Sequence, residues 1–249
     1  MPLPDSNANA PPVRHFVTTH WTVVLSAGRS DSVAARDSLE ELCRTYWYPL
    51  YVFVRRQGYS VDDAQDLTQA FFMQLLTKDY LADVDRAKGR FRSFLLASLK
   101  HFLANEWDKV RAQKRGGGHV LVPLDARSAD SRYALEPVDN STADKLYERR
   151  WALTLLDAAL AELREEFAAD GRSKLFDELK FTLTGDRGSL HYADLAATLG
   201  TSEGAVKVAV HRLRERYREV LRKRIAATVE KASDVEDELR HLFQALVAV

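Results

Sequence analysis

The sequence predicts an all-α protein: two small helical domains, a helical bundle and a helix-turn-helix domain, joined by a flexible linker. Three features predict it. Apolar residues recur at helical intervals from about residue 36 onward, and nowhere do they alternate with polar ones in the two-residue period of a half-buried strand. Residues 116 to 145, opening GGGHVLVPLDARSAD, mix glycine, proline, aspartate and serine without any period, and a structureless loop of that length is unusual inside one domain. The 249 residues suffice for a core on each side of it. The expected division is an N-terminal arm over 1–35, a first domain over 36–115, the linker over 116–145, a second domain over 146–227 and a C-terminal amphipathic helix over 228–249.

The elements follow in order. The start, MPLPDSNANAPPVR, is polar, carries prolines and lacks the apolar stretch of a secretory signal, which predicts a frayed tail and no export. The HWTVVLSAG after it has no assignment beyond a packing arm. Over RDSLEELCRTYWYPLYVFVRRQ, residues 36 to 57, Leu39, Leu42, Cys43, Tyr46, Leu50 and Phe53 stand at helical spacing, with Pro49 a kink. Cys43 is the chain's one cysteine, so it can close neither an internal disulfide nor a thiolate metal cage, and it reads as core filling. Next, Ser60 caps the helix of GYSVDDAQDLTQAFFMQLL, acids occupy the first turn where the helix dipole favours them, and Ala64, Leu67, Phe71 and Leu75 form its buried row.

A polar connection leads to a third helix, from about Phe91 to Gln113, in which Phe94, Leu95 and Phe102 read as core. Beyond the linker, ERRWALTLLDAALAELREEF opens a strongly periodic helix near Tyr147, and SKLFDELKFTL follows it. Leu195 and Leu199 then close a short helix, Gly200 supplies the turn, Thr201 or Ser202 caps, and a longer helix begins. Two helices joined by a tight glycine turn are the helix-turn-helix signature, whose second helix is free to enter a major groove. Along that helix Val206, Val210, Leu213 and Tyr217 make one stripe, and Lys207, His211, Arg214 and Arg218 make another one residue later, about 100° round the helix. At the C-terminus, ASDVEDELRHLFQALVAV offers Ser233 and Glu236 as a capping box and Val235, Leu239, Leu242, Phe243 and Leu246 as an apolar stripe.

Charge is where function begins to show. The chain carries 36 basic and 36 acidic residues, yet the cations gather. Between Gly204 and Arg224 stand Lys207, Arg212, Arg214, Arg216, Arg218, Arg222, Lys223 and Arg224 against only Glu215 and Glu219; between Arg86 and Arg115 the acids are only Glu106 and Asp108. A single charged helix is as well explained by a solvated face, but two such segments, one on a helix-turn-helix, point to a polyanion, because each neutralised phosphate releases counterions. The first segment interleaves Phe91, Phe94, Phe102 and Trp107 with Arg90, Arg92, Lys100, His101, Lys109 and Arg111. Rings set among phosphate-binding cations form a platform for unstacked bases, each stacked base being worth about 1–3 kcal/mol. Duplex reading in one domain and single-strand capture in the other suit a protein that opens DNA. No run approaches the roughly 18 apolar residues of a membrane span, so a soluble, cytoplasmic chain without membrane insertion is expected, and no residue pattern calls for a cofactor or a metal.

Two motifs resemble a known family, the bacterial extracytoplasmic-function (ECF) sigma factors of the sigma-70 superfamily, two-domain initiation factors that bring RNA polymerase to promoters. DAQDLTQAFF, 63 to 72, is similar to that family's D-A-E-D-L-x-Q-E-x-F, and SEGAVKVAVHRLRERY, 202 to 217, is similar to its S/P-x-G-T-V-K-S-R-L-H-R-A-R. In this order, with a linker between, the pair is specific; the match spans about 36 to 225, and the C-terminal helix is an extension beyond it. The resemblance implies a sigma region 2-like first domain and a region 4-like second domain. Asp62, Asp63, Asp66 and Gln69 would dock on the β′ clamp of core polymerase. The loop Asp85 to Arg90 and the helix after it, with Arg90, Phe91, Arg92, Lys100, His101, Asn105 and Lys109, would melt and hold the −10 element of promoter DNA. Glu203, Lys207, His211, Arg212 and Arg214 would read the −35 element while neighbouring residues touch the β flap. There are departures: Gln65 and Ala70 replace glutamates, Phe94 a tryptophan, His101 stands where many members have asparagine, and Val208 and Ala209 replace a Ser-Arg pair, which removes one expected phosphate cation.

The resemblance thus implies a promoter-specificity subunit with no chemistry of its own. Two other readings compete. Asp62, Asp63 and Asp66 as a Mg²⁺ site for phosphodiester cleavage finds no His or Lys constellation beside them in sequence. A stand-alone helix-turn-helix regulator leaves the acidic helix and the aromatic-basic helix without a task. The acidic C-terminal helix is a helix packed on its own domain, a self-inhibiting cover of the basic helix, or a dock for a regulator; an anti-sigma protein and a regulatory kinase are the further partners the resemblance brings into view.

Overall fold

Each helix of the protein starts and stops where its residues dictate. The computed structural model describes residues 33–75, 90–112, 133, 142–183 and 191–247; the expected N-terminal arm up to residue 32, and the expected linker apart from Tyr133 and the residues from 142, lie outside them, while residues 33–35, expected in the arm, belong to the first helix. The described residues form α-helices α1 (Val33–Arg56), α2 (Val61–Leu75), α3 (Phe91–Ala112), α4 (Ala143–Ala169), α5 (Ser173–Leu179), α6 (Tyr192–Leu199), α7 (Glu203–Thr228) and α8 (Val235–Val247), with short 3₁₀ turns at Lys180–Leu183 and Ala232–Asp234. No strand occurs among them, as the all-α reading requires.

The local signals act as expected at most ends. Helix α1 runs on past Pro49. Ser60 caps α2, accepting from the Asp63 amide at 3.1 Å and donating its hydroxyl to the Asp63 carboxylate at 2.7 Å. Gly200 takes φ 63° in the left-handed region that glycine alone adopts without strain, and of the two candidate caps it is Ser202 that accepts from the Ala205 amide. Two expectations are corrected. Helix α4 begins at Ala143 rather than near Tyr147, because Thr142 caps it through the Lys145 amide. The Ser233–Glu236 capping box does not form: a 3₁₀ turn precedes α8, the Ser233 hydroxyl goes to Asp234, and Glu236 pairs with Arg222.

The helices enclose two cores. The first gathers Leu42, Tyr46, Leu50 and Phe53 of α1, Phe71 and Leu75 of α2, Phe91, Leu95, Leu99 and Phe102 of α3, Tyr147, Trp151 and Leu155 of α4, Val220, Leu221 and Ile225 of α7, and Val235 and Leu242 of α8. The second is smaller: Leu163 and Phe167 of α4, Phe176 and Leu179 of α5, Leu195 and Ala196 of α6, and Val206, Val210 and Leu213 of α7. Helices α4 and α7 therefore each serve both cores, one half apiece, and Tyr217 packs against both. Cys43 is half-buried against the first core, and loss of water pushes its thiol up to about 11, as core filling requires. On the C-terminal stripe Val235 and Leu242 are buried and Leu239 and Leu246 half-buried, while Phe243 faces solvent.

Candidate nucleic-acid interface

The geometry of α7 separates its cations into two populations. Its apolar stripe of Val206, Val210 and Leu213 packs against α6 and α5, which turns the opposite face of its first four turns outward. Glu203, Lys207, His211 and Arg212 are all exposed there. Lys207 lies 5.4 Å above the Tyr192 ring and 3.9 Å from Glu203; His211 lies 3.6 Å from Glu215. Among the described residues Arg212 and Arg218 have no ion-pair partner. Arg214 behaves differently: half-buried, it donates two hydrogen bonds, 3.1 and 2.9 Å, to the Thr182 carbonyl and so ties α7 to the 3₁₀ turn.

Further along, the cations meet the chain's own acids. Arg216 forks onto Glu166 at 2.8 and 2.7 Å and also reaches Glu219 at 2.8 Å; its hydrogen bonds hold the Glu166 carboxyl below the usual carboxylate range. Arg222 pairs with Glu236 of α8, Lys223 with Glu162, and Arg224 with both Glu41 and Glu162. Most cations in this half of the helix are thus paired with the protein's own acids, and Arg218 is the exception.

The first basic segment is divided in the same manner. Phe91 and Arg92 lie inside, Phe91 against Tyr46 and Phe94, Arg92 only 2 % exposed. The Arg92 Nε donates to the fully buried Glu238 carboxylate at 2.7 Å, a second nitrogen bonds Glu148, and the guanidinium stacks over Trp151 at 4.8 Å. Arg90 lies 2.8 Å from the same Glu238, and His241 3.1 Å from Glu148. Helix α8 is thereby bolted to α3 and α4 by charge as well as by apolar contact.

His101 and Asn105 of α3 face solvent, as does Trp107; Lys100, paired with Asp144, sits 5.6 Å from the Phe53 ring. Lys109 lies in the backbone of α3, but its side chain is outside the described residues, as are residues 85 to 89 of the expected loop. Phe53, Tyr59, Lys100, Leu103, Trp107 and Asp144 line a groove of about 570 Å³ where α1, α3 and α4 meet. On α2, Asp62, Asp63 and Asp66 are exposed in the first turns and Gln69 is half-buried. Among the described residues no group of His, Cys, Asp or Glu is arranged to hold a metal ion, and no helix is long and apolar enough to cross a membrane.

Sequence reasoning missed the Glu238–Arg92–Glu148 cluster. A signal was present: Glu238 lies three residues after Val235 and four before Leu242, on the apolar stripe of its helix, and Arg92 stands in the same relation to Leu95, Leu96 and Leu99.

Comparison with known proteins adds a relation. The chain is 26% identical over 199 residues to an ECF RNA polymerase sigma factor, SigE, of Mycolicibacterium smegmatis, an alignment covering 80% of this chain and 67% of that protein. No family model matches the chain, and no solved structure matches it.

Proposed function

We infer, from the premise that this similarity and the two motifs assign the chain to the ECF sigma factors, that it binds core RNA polymerase through α2 and reads promoter DNA through α7 and α3. The exposed carboxylates of Asp62, Asp63 and Asp66, with Gln69 beside them, dock on the β′ clamp, and the region 4-like domain meets the β flap. The outward face of α7, from Glu203 to Arg212, reads the −35 element as duplex. The outer face of α3, with Arg90, Lys100, His101, Asn105 and Lys109, holds the −10 element as single strand, and Phe91 and Arg92 set the pose of that helix from within.

The observation that carries the reading is the partition of arginines on α7. Of the arginines from Arg214 onward, all but Arg218 bond groups of the protein itself, whereas Arg212 at the groove-entering end is exposed, without an ion-pair partner among the described residues, beside Lys207 and His211. Selective transcription by purified protein with bacterial core polymerase on a promoter library tests it; duplex binding without selective initiation would mark a stand-alone regulator instead. Asp66→Lys is expected to lower association with core polymerase in a pull-down titration while leaving DNA contacts of the assembled complex unchanged.

A further inference from the structure

Successive residues of a helix are about 100° apart, so Val208, two positions from the buried Val206, projects almost opposite the packed stripe of α7. It is 51 % exposed, on the face of the helix turned away from the second core. A lone exposed apolar side chain is ordinary on a surface; this one stands at the tip of a helix-turn-helix recognition helix, and its surroundings are organised around it. One turn before it, Gly204 has no side chain, and Ala205 offers only a methyl. One turn after it, on the same ridge, stands Arg212. Cations that could cover the spot are held aside, Lys207 over the Tyr192 ring and Arg214 on the Thr182 carbonyl. The tip of the reading helix is therefore a small apolar knob bordered by one unpaired guanidinium.

In a major groove the base edges carry one apolar group, the C5-methyl of thymine, while guanine N7 and O6 accept a bidentate arginine. We propose that Val208 is a specificity-determining residue that packs on a thymine methyl in the upstream element, with Arg212 taking a guanine beside it. This rests on the promoter-reading function above, and deepens it by naming the base the helix tip prefers.

The test uses the full chain assembled on bacterial core polymerase. Duplexes are selected from a library randomised across the upstream element, and the winning duplex is resynthesised with each thymine in turn replaced by deoxyuridine, which deletes only the methyl. One position is expected to lose about fourfold in affinity, the worth of one buried methyl-sized group. Val208→Ser, at an exposed site, is expected to bind the thymine and uracil forms equally there and Val208→Ala to show a smaller difference than the parent, while Arg212→Ala keeps the thymine preference. A winning duplex whose uracil forms all bind like the parent overturns the methyl contact and leaves promoter reading standing. Uracil insensitivity together with weakened polymerase binding by Val208→Ala assigns the side chain to a protein contact and overturns it equally. If no duplex is enriched at all, the promoter-reading function falls with it.

Discussion

Arg92 on α3 and Arg212 on α7 come from segments of similar basic excess, but one is sealed between Glu238, Glu148 and Trp151 while the other stands in water. What separates them is angular position, not charge density. Arg92 shares the helical face of Leu95, Leu96 and Leu99, so packing that face drags the guanidinium inside, where a buried cation must be paired. Arg212 lies well away from the stripe of Val206, Val210 and Leu213, so packing pushes it out. A basic helix becomes a ligand surface where its cations and its apolar stripe occupy different faces, and a structural joint where they coincide.

The comparison breaks most visibly at the joint. Glu238→Ala leaves Arg92 buried with half its partners gone and is expected to cost about 3–5 kcal/mol in denaturant unfolding. The double change Arg92→Met, Glu238→Leu removes both charges and is expected to restore most of that loss. A cost below about 1 kcal/mol for Glu238→Ala would mean that water reaches Arg92, and the contrast with Arg212 would vanish. At the other pole, Arg212→Ala is expected to leave stability within about 0.5 kcal/mol, as for an unpaired surface residue, and to weaken binding of the upstream element by about 1–3 kcal/mol if it contacts a base edge. Equal effects of the two changes on stability would contradict the partition.

The smallest effect sharpens the middle case, Arg216, which is half exposed and paired. Its Ala variant is expected to cost less than about 1 kcal/mol at neutral pH, since the pair is screened by solvent. The sign with pH follows from Glu166, whose folded carboxyl is held below its ordinary value. That contribution is present above the unfolded carboxylate pKa of about 4.3 and is lost as pH falls through the lower folded value. Unfolding curves from pH 7 to pH 3 are expected to show a shallower loss for the variant than for the parent.

Local chemistry was legible in the residues. Leu42, Tyr46, Leu50 and Phe53 of α1, Ala64, Phe71 and Leu75 of α2 (Leu67 being only half-buried), the Ser60 cap, the Gly200 turn and the stripe of α7 all follow from spacings of a few residues, which act before any tertiary contact exists. Of the expected set Glu203, Lys207, His211, Arg212 and Arg214, all but Arg214 are exposed, for the same reason; Arg214 is drawn to the Thr182 carbonyl. The pairing of Arg92 with Glu238, 146 positions apart, was not, because it depends on which helices become neighbours. The unmade capping box at Glu236 has the same origin: a cross-helix arginine, Arg222, competes for the carboxylate. Helix α4 was expected to belong to the second domain, yet Tyr147, Trp151 and Leu155 face the first core. Periodicity shows that a face is buried without saying against what.

That double allegiance of α4 matters to anyone who wishes to handle the helix-turn-helix alone. A fragment begun at residue 143 would keep α8 but strip Tyr147, Trp151 and Leu155 of their α1 and α3 neighbours, leaving an apolar band open to aggregation. Trimming to roughly 160–217 keeps Leu163, Phe167 and the stripe of α7 with their own partners and discards the sticky ends.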